Sequence, residues 1–360
     1  MPNSKNITNF VMAVLFLCSS CAVSLAKSEN MIESLAALAS RRSEEALQKK
    51  SVLSPAATYF VMVMLESVAS VASKKILHEV TQSERWRDEK MPEGNPETKG
   101  WVELDTRWWV DEWIASSPQF ISSCKHFRTK VIPSKLSDVV KSDPWSSLQA
   151  PYGGYVGSTE SLLWTDVGFS PAFPGGLTKV PRSTTSSDNP RENSFSTPLL
   201  QTSIIEAWVS EDNGEVNWVM IPLEGGSSIT ISMGDPSANP TPKKSPVILF
   251  LPEIELTSTH SPLEVYDLKK VKDVLTSQRG FLESGFLSIS EWMMRVSVKL
   301  KPHAGISVSS EVKPGDYRTP PVVVRIVRPF YFKINGSAGE VLFEGSVSRE
   351  KLEEASVRRD

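Results

Sequence analysis

The chain has 360 residues, 40% of them hydrophobic and 22% charged, with a net charge of −3. That is the composition of a globular protein with a sizeable core, in one large mixed domain or two smaller ones. No basic excess points to nucleic acid, and no charge block points to a membrane surface.

Lys5 gives the chain a positive start, and Phe10 to Leu17 follow as an unbroken apolar run too short to span a bilayer. Ser24-Leu25-Ala26 then offers the small residues a signal peptidase reads. Residues 1–26 therefore read as a signal peptide, leaving 27–360 as one domain that is secreted to the extracellular space. A signal anchor is the alternative, disfavoured by the short run and the cleavage site. Cys18 and Cys21 leave with the signal peptide, so the mature chain has no internal disulfide and must be held by its core. The remaining Cys124 reads as a half-buried structural thiol on a helix, with His126 pointing elsewhere.

Along the mature chain, the spacing of Met31, Leu35, Leu38, Ala39 and Leu47 predicts a helix over 29–50. Ser54 is a natural cap and Pro55 a natural first-turn residue for a second helix. That helix is apolar on almost every side, which predicts burial at the centre of the fold. Helix continues over 71–80. Residues 83–100 carry Pro92, Gly94, Pro96 and Gly100 and read as loop. Residues 101–112 alternate as a long strand, with Val102, Leu104, Thr106, Trp108 and Val110 on one face and Glu103, Asp105, Arg107 and Trp109 on the other. Ser117-Pro118 opens another helix, and a short strand follows at 128–134. Residues 144–158 hold too many prolines and glycines for a helix. A strand covers Leu162 to Phe169, and 171–198 reads as an exposed loop. From 199 the chain is mostly β, broken by a Pro-rich loop at 235–246 and an amphipathic helix at 267–277 bearing Leu268, Val271 and Leu275 on one side. The end is β again. Helices first, long strands later and hairpins last give an α+β class with largely antiparallel sheets.

No catalytic, metal or cofactor site emerges. His78, His126, His260 and His303 are far apart and lack metal-ligand spacing. There is no Gly-x-Ser-x-Gly, P-loop or dinucleotide fingerprint, and Gly153-Gly154-Tyr155-Val156-Gly157 reads as a turn. The chain is therefore read as a non-enzyme. Trp101, Trp108, Trp109 and Trp113 read as core and strand-edge fillers, with a carbohydrate-binding face as the minor alternative. Asn335-Gly336-Ser337 is a glycosylation sequon on a hairpin tip, assigning Asn335 as the acceptor in a secreted chain.

The C-terminal hairpin, Arg328-Pro329-Phe330-Tyr331-Phe332-Lys333-Ile334 and Val341-Leu342-Phe343-Glu344-Gly345-Ser346-Val347, resembles the closing strands of serpins. Further matches follow in order: Leu53-Ser54-Pro55, Ser117-Pro118-Gln119-Phe120, Pro198-Leu199-Leu200-Gln201, Met220-Ile221-Pro222-Leu223, and Leu251-Pro252-Glu253-Ile254 with Tyr266-Asp267-Leu268. Together they cover most of residues 30–350. The resemblance implies a serpin-like fold of mixed, largely antiparallel sheets and N-terminal helices, with an exposed reactive-centre loop. Three departures stand out. The helix that the family carries between its first and third central strands has only the short Pro- and Gly-rich stretch 138–160 in its place. The asparagine of the third-strand motif is absent around Trp164-Thr165-Asp166. Loop 83–100 replaces the basic helix that would bind a polysaccharide cofactor.

Family members bait a protease with this loop and insert its first half as a central strand once it is cut. The resemblance places the loop at about 301–321. Gly305 stands at the hinge and Ile306, Ser307, Val308, Ser309 and Ser310 follow it. Counting back from Arg328-Pro329-Phe330 puts the reactive bond at Arg318–Thr319. Arginine before that bond suits a trypsin-like secreted serine protease with an acidic pocket; a plain exposed arginine is the alternative. Ile306, Val308, Ser310 and Val312 alternate with Ser307, Ser309 and Glu311, so a strand can form. Lys313-Pro314-Gly315-Asp316 is a turn signal that should stop it. The implied function is inhibitor or pseudo-substrate of that protease, acting as a monomer. The alternative is a non-inhibitory serpin acting as a carrier or interaction module.

Overall fold

The computed structural model describes residues 51–81, 102–115, 118–139, 160–180, 199–212, 214–234, 241–277, 287–301, 320–337 and 339–357. Shorter pieces lie at 35–42 and 143–145, with a few single residues between. In chain order the elements begin with β1 (Val52–Leu53), α1 (Pro55–Val68), α2 (Val71–Thr81), β2 (Val102–Val110), α3 (Glu112–Ala115), α4 (Pro118–His126), β3 (Thr129–Pro133) and α5 (Leu136–Val139). The β-rich middle is β4 (Glu160–Phe169), β5 (Leu177–Lys179), β6 (Leu199–Thr202), β7 (Ile205–Asp212), β8 (Glu215–Pro222), β9 (Ser228–Ser232), β10 (Lys243–Pro252) and β11 (Ile254–His260). The last part is α6 (Pro262–Val265), α7 (Lys269–Leu275), β12 (Ser288–Leu300), β13 (Val322–Arg325), β14 (Phe330–Asn335), β15 (Val341–Val347) and α8 (Arg349–Val357).

Ser54 and Pro55 start α1 as their chemistry dictates. Ser54 Oγ accepts the Ala57 N–H at 3.2 Å and donates to the Leu342 carbonyl at 2.8 Å, so the cap also ties α1 to β15. Every residue from Pro55 to Glu66 is buried, as the apolar run predicts. Thr58 Oγ1 lies 3.8 Å from Met294 Sδ, so α1 packs directly beneath β12.

A five-stranded sheet lies over α1 in the order β11-β12-β4-β2-β3. Its β12–β4 and β2–β3 neighbours are parallel; β11–β12 and β2–β4 are antiparallel. The second sheet has ten strands in the order β1-β15-β14-β9-β8-β7-β10-β6-β5, with β13 running parallel beside β10. Gly345 is required where these layers close. A side chain there would strike the Ser51 carbonyl and come within 2.5 Å of the Phe332 ring.

Several expectations are corrected. Helix covers 35–40 but turns at Arg41, and Arg42 leaves it to donate to Glu344 at 2.6 Å; residues 43–50 lie outside the described part. Trp108 and Trp109 are both buried, as expected of core fillers, because chain packs on both faces of β2. Ala172 and Phe173 are buried and Leu177–Lys179 is a strand, inside the stretch expected as exposed loop. β10 starts at Lys243 and accommodates Pro246 opposite Glu206. α8 follows β15 where only β was expected. Ser348 caps it through the Lys351 N–H at 3.3 Å, and Leu352 is its buried anchor. Cys124 is fully buried rather than half-buried. The stretches 83–100, 146–158 and 181–198 lie outside the described residues.

Candidate functional site

The hinge residues Gly305, Ile306, Ser307, Val308, Ser309 and Ser310 and the bond Arg318–Thr319 lie outside the described residues. Their frame is described. β12 ends at Leu300 in the five-stranded sheet, and the chain resumes at Pro320 to enter β13 in the other sheet. The connecting segment must therefore cross from one sheet to the other. Asn335 is half-buried at the end of β14, opposite Val341 and Ser228.

Below Leu300, β12 and β4 zip together in parallel from Ser288↔Glu160 to Val298↔Phe169, with one irregularity between Ile289 and Glu291. The inward face of this seam is apolar. Leu163, Val167 and Phe169 of β4 meet Trp292, Met294, Val296 and Val298 of β12 in the main core. Two polar atoms share that interior. Thr165 Oγ1 and Trp292 Nε1 have no hydrogen-bond partner among the described residues. A buried unpaired group costs roughly 1–3 kcal/mol, so the middle of the seam is held less well than its apolar area suggests.

The outward face carries a charge ladder across four strands. Lys130 of β3 reaches Asp105 of β2 at 2.7 Å, and Arg107 of β2 bonds Asp105 at 2.9 Å. Arg107 also donates to Asp166 of β4 at 2.8 Å, and Arg295 of β12 donates to Asp166 at 2.6 Å. Arg295 and Asp166 are direct partners in register, so this last bond spans the seam itself. Burial works to raise the Asp105 pKa, but Lys130 and Arg107 outweigh it and hold it below the usual value. On the far side, Lys299 and Lys301 clamp Glu255 of β11 at 3.1 and 2.6 Å. The Lys301 bond is the largest influence lowering the Glu255 pKa. The sheet thus consists of a β3-β2-β4 group and a β12-β11 group, each laced by its own charges, with Arg295–Asp166 between them.

Beside the ladder, Trp109, Trp145 and Trp164 stack edge-to-face at centroid distances of 6.0 and 5.4 Å, with Val139 and Leu162 completing the cluster. Arg295 lies over the Trp164 ring at 5.8 Å. α5 and Trp145 thus cover part of the sheet's outer face, in the stretch expected to be short and rich in proline and glycine. Sequence reasoning missed Trp145, Asp166 and Arg295. The lone tryptophan in a breaker-rich stretch was the available signal for the first, and the other two needed strand register.

Among the described residues no group of three His, Cys, Asp or Glu is arranged to hold a metal ion, and no helix is long and apolar enough to cross a membrane. Burial pushes the Cys124 thiol up to about 12.

No family model matches the chain, and no curated protein matches it. Solved structures do. Native protease nexin-1, crystallised with heparin, superposes with a TM-score of 0.62 at 16% identity over 90% of this chain and 99% of that one. Serpin48, a highly specific serpin of the insect Tenebrio molitor, gives 0.60 at 16% identity over 89% and 98%. Uncleaved ovalbumin gives 0.59 at 15% identity over 88% and 98%. At these identities the likeness is one of architecture: this chain has the serpin fold, an α+β arrangement of mixed, largely antiparallel sheets.

Proposed function

We propose that this protein is a secreted serpin-type inhibitor or pseudo-substrate of a trypsin-like serine protease, with residues 301–321 as bait loop and Arg318–Thr319 as the bond offered. The supporting observation is the parallel β4–β12 seam that lies directly below the loop's origin. A chain that reverses after Leu300 and lies back between these strands runs antiparallel to both. One parallel junction then becomes two antiparallel ones, the somewhat stronger pairing. Gly305 supplies the reversal, and Ile306, Ser307, Val308, Ser309 and Ser310 supply an alternating strand.

In this reading the protease serine attacks the Arg318 carbonyl and the Thr319 amine leaves, forming an ester between protease and loop. Insertion then competes with hydrolysis by water. Lys313-Pro314-Gly315-Asp316 halts insertion part-way, because Pro314 has no N–H for a central strand. The bound protease completes hydrolysis and leaves, so pseudo-substrate behaviour dominates over trapping. The same turn also supports the second reading, a non-inhibitory carrier or interaction module. The protein is a non-enzyme acting as a monomer in the extracellular space, its mature chain starting near Lys27 and carrying a glycan on Asn335.

The test is incubation with trypsin, followed by denaturing electrophoresis and mass analysis of the fragments. First cleavage at Arg318–Thr319 with little covalent complex is expected. First cleavage anywhere outside 313–322 would overturn the loop register, and a stable one-to-one complex would make this an ordinary inhibitor.

A further inference from the structure

Among the described residues, β13 is paired on one side only, by β10. Ile326 donates its N–H to the Phe250 carbonyl of β10 at 2.9 Å. Successive residues of a strand turn their backbone groups to alternate sides, so Val324 shares that side with Ile326. Val323 and Arg325 turn their N–H and C=O groups the other way. Among the described residues no strand pairs that edge of β13.

The edge opens onto a groove of about 780 Å³. Val216, Met233 and Pro329 give it an apolar lining opposite Val322, Val323 and Val324. Its charges are Glu211, Glu215, Arg325, Arg328 and Arg349. Glu215 faces Arg328 at 3.5 Å, and Arg349 bonds Glu353 at 3.0 Å. Arg325 has no carboxylate partner among the described residues, and its guanidinium lies over the Phe250 ring at 5.4 Å. Val323, on the same outer face, is 52% exposed. An exposed β-branched edge beside an apolar groove is a template for another strand.

We infer that this edge binds an extended peptide segment of a partner protein, added as a strand beside β13, with an apolar side chain on Val323 and an acidic one on Arg325. The backbone groups of Val323 and Arg325 supply the ladder. The valine–arginine spacing of two residues sets the motif, since side chains on one face of a strand recur at that interval. The guanidinium, which lies over the Phe250 ring, presents its fork to a carboxylate. This surface is separate from the β4–β12 seam, and the inference does not depend on the bait-loop reading.

The probe is a fluorescein-labelled peptide, Thr-Val-Thr-Glu-Thr-Val-Thr-Glu-Thr, read by polarisation against the full chain. Saturable binding is expected, at least about tenfold weaker when both Glu are replaced by Lys. Arg325→Glu is expected to reverse that preference and Arg325→Gln to abolish it; the exposed position keeps both variants folded, checked by circular dichroism. Amide exchange at Val323 and Arg325 is expected to slow in the complex. Absence of binding, equal binding of the two peptides, indifference to Arg325→Glu, or protection elsewhere than 322–325 would each overturn the inference.

Discussion

Asp166 takes a charge-assisted hydrogen bond from Arg107 on one neighbouring strand and from Arg295 on the other. Replacing it by asparagine keeps the shape and removes the charge that both arginines need. Asp166→Asn is expected to cost about 1 kcal/mol, since the arginines are partly exposed, and to lower Tm by roughly 2–4 °C. The discriminating readout is hydrogen exchange. Amides of the β4–β12 seam are expected to exchange faster in the variant while those of β14 and β15 do not change. Uniform acceleration would mean that the bond stabilises the molecule generally and does not hold the seam. Cys124 is a simpler case. With its thiol at about 12, almost no thiolate exists at pH 8, and the side chain has no exposed surface. A thiol reagent is expected to label the denatured chain fully and the native protein hardly at all.

The strand groups respond to acid in a definite direction. Asp105 and Glu255 have folded pKa values below their ordinary 3.8 and 4.5. Each therefore contributes stability that is fully present above those ordinary values and is lost as pH falls through the lower folded ones. Glu344 has the opposite sign: burial raises its pKa against the pull of Arg42, so protonating it favours the fold. Unfolding midpoints measured from pH 6 downward are expected to drop below about pH 4. Lys301→Gln is expected to flatten the part of that drop that belongs to Glu255. The elements themselves were largely legible in the sequence, because α1, β2, β12 and the β14–β15 hairpin announce themselves by periodicity, caps and β-branched runs. The ladder was not. Asp105 and Arg107 were visible as a polar face, but their bonds to Lys130 and Asp166 depend on which strands become neighbours and in what register. Local pattern does not carry that information. α8 was missed for a related reason, since among its described side chains only Leu352 is fully buried, too little periodicity to read.

At the scale of the molecule, the two strand groups define what cutting the proposed bait loop would do. An inserted strand must push β12 and β4 apart by one strand spacing, about 4.8 Å, which no 2.6 Å ion pair survives. Cleavage by trypsin is therefore expected to raise Tm only as far as the new ladder exceeds the lost Arg295–Asp166 bond and stops at Pro314. In Asp166→Asn that bond is already absent, so the rise on cleavage is expected to be larger than in the unmodified protein. Thermal unfolding before and after a single cut in both proteins measures the difference, and equal rises would show that the seam bond is irrelevant to insertion. The loop at about 301–321 rests on resemblance and spacing, and its hinge and reactive bond lie outside the described residues. The obstacle beneath it came from side chains far apart in the chain.

The pairing of β1 with β15 bears on how the protein is made. Ser54 and its partner Leu342 are 288 residues apart, yet the cap of the most apolar helix is tied to the last hairpin. At about 5–20 residues per second, synthesis leaves α1 without that partner for roughly a quarter of a minute to a minute. During that interval the nascent chain carries a greasy helix whose cap and β15-facing side have no partner. It is in this window, before the final strand emerges, that a holding chaperone would have most to do.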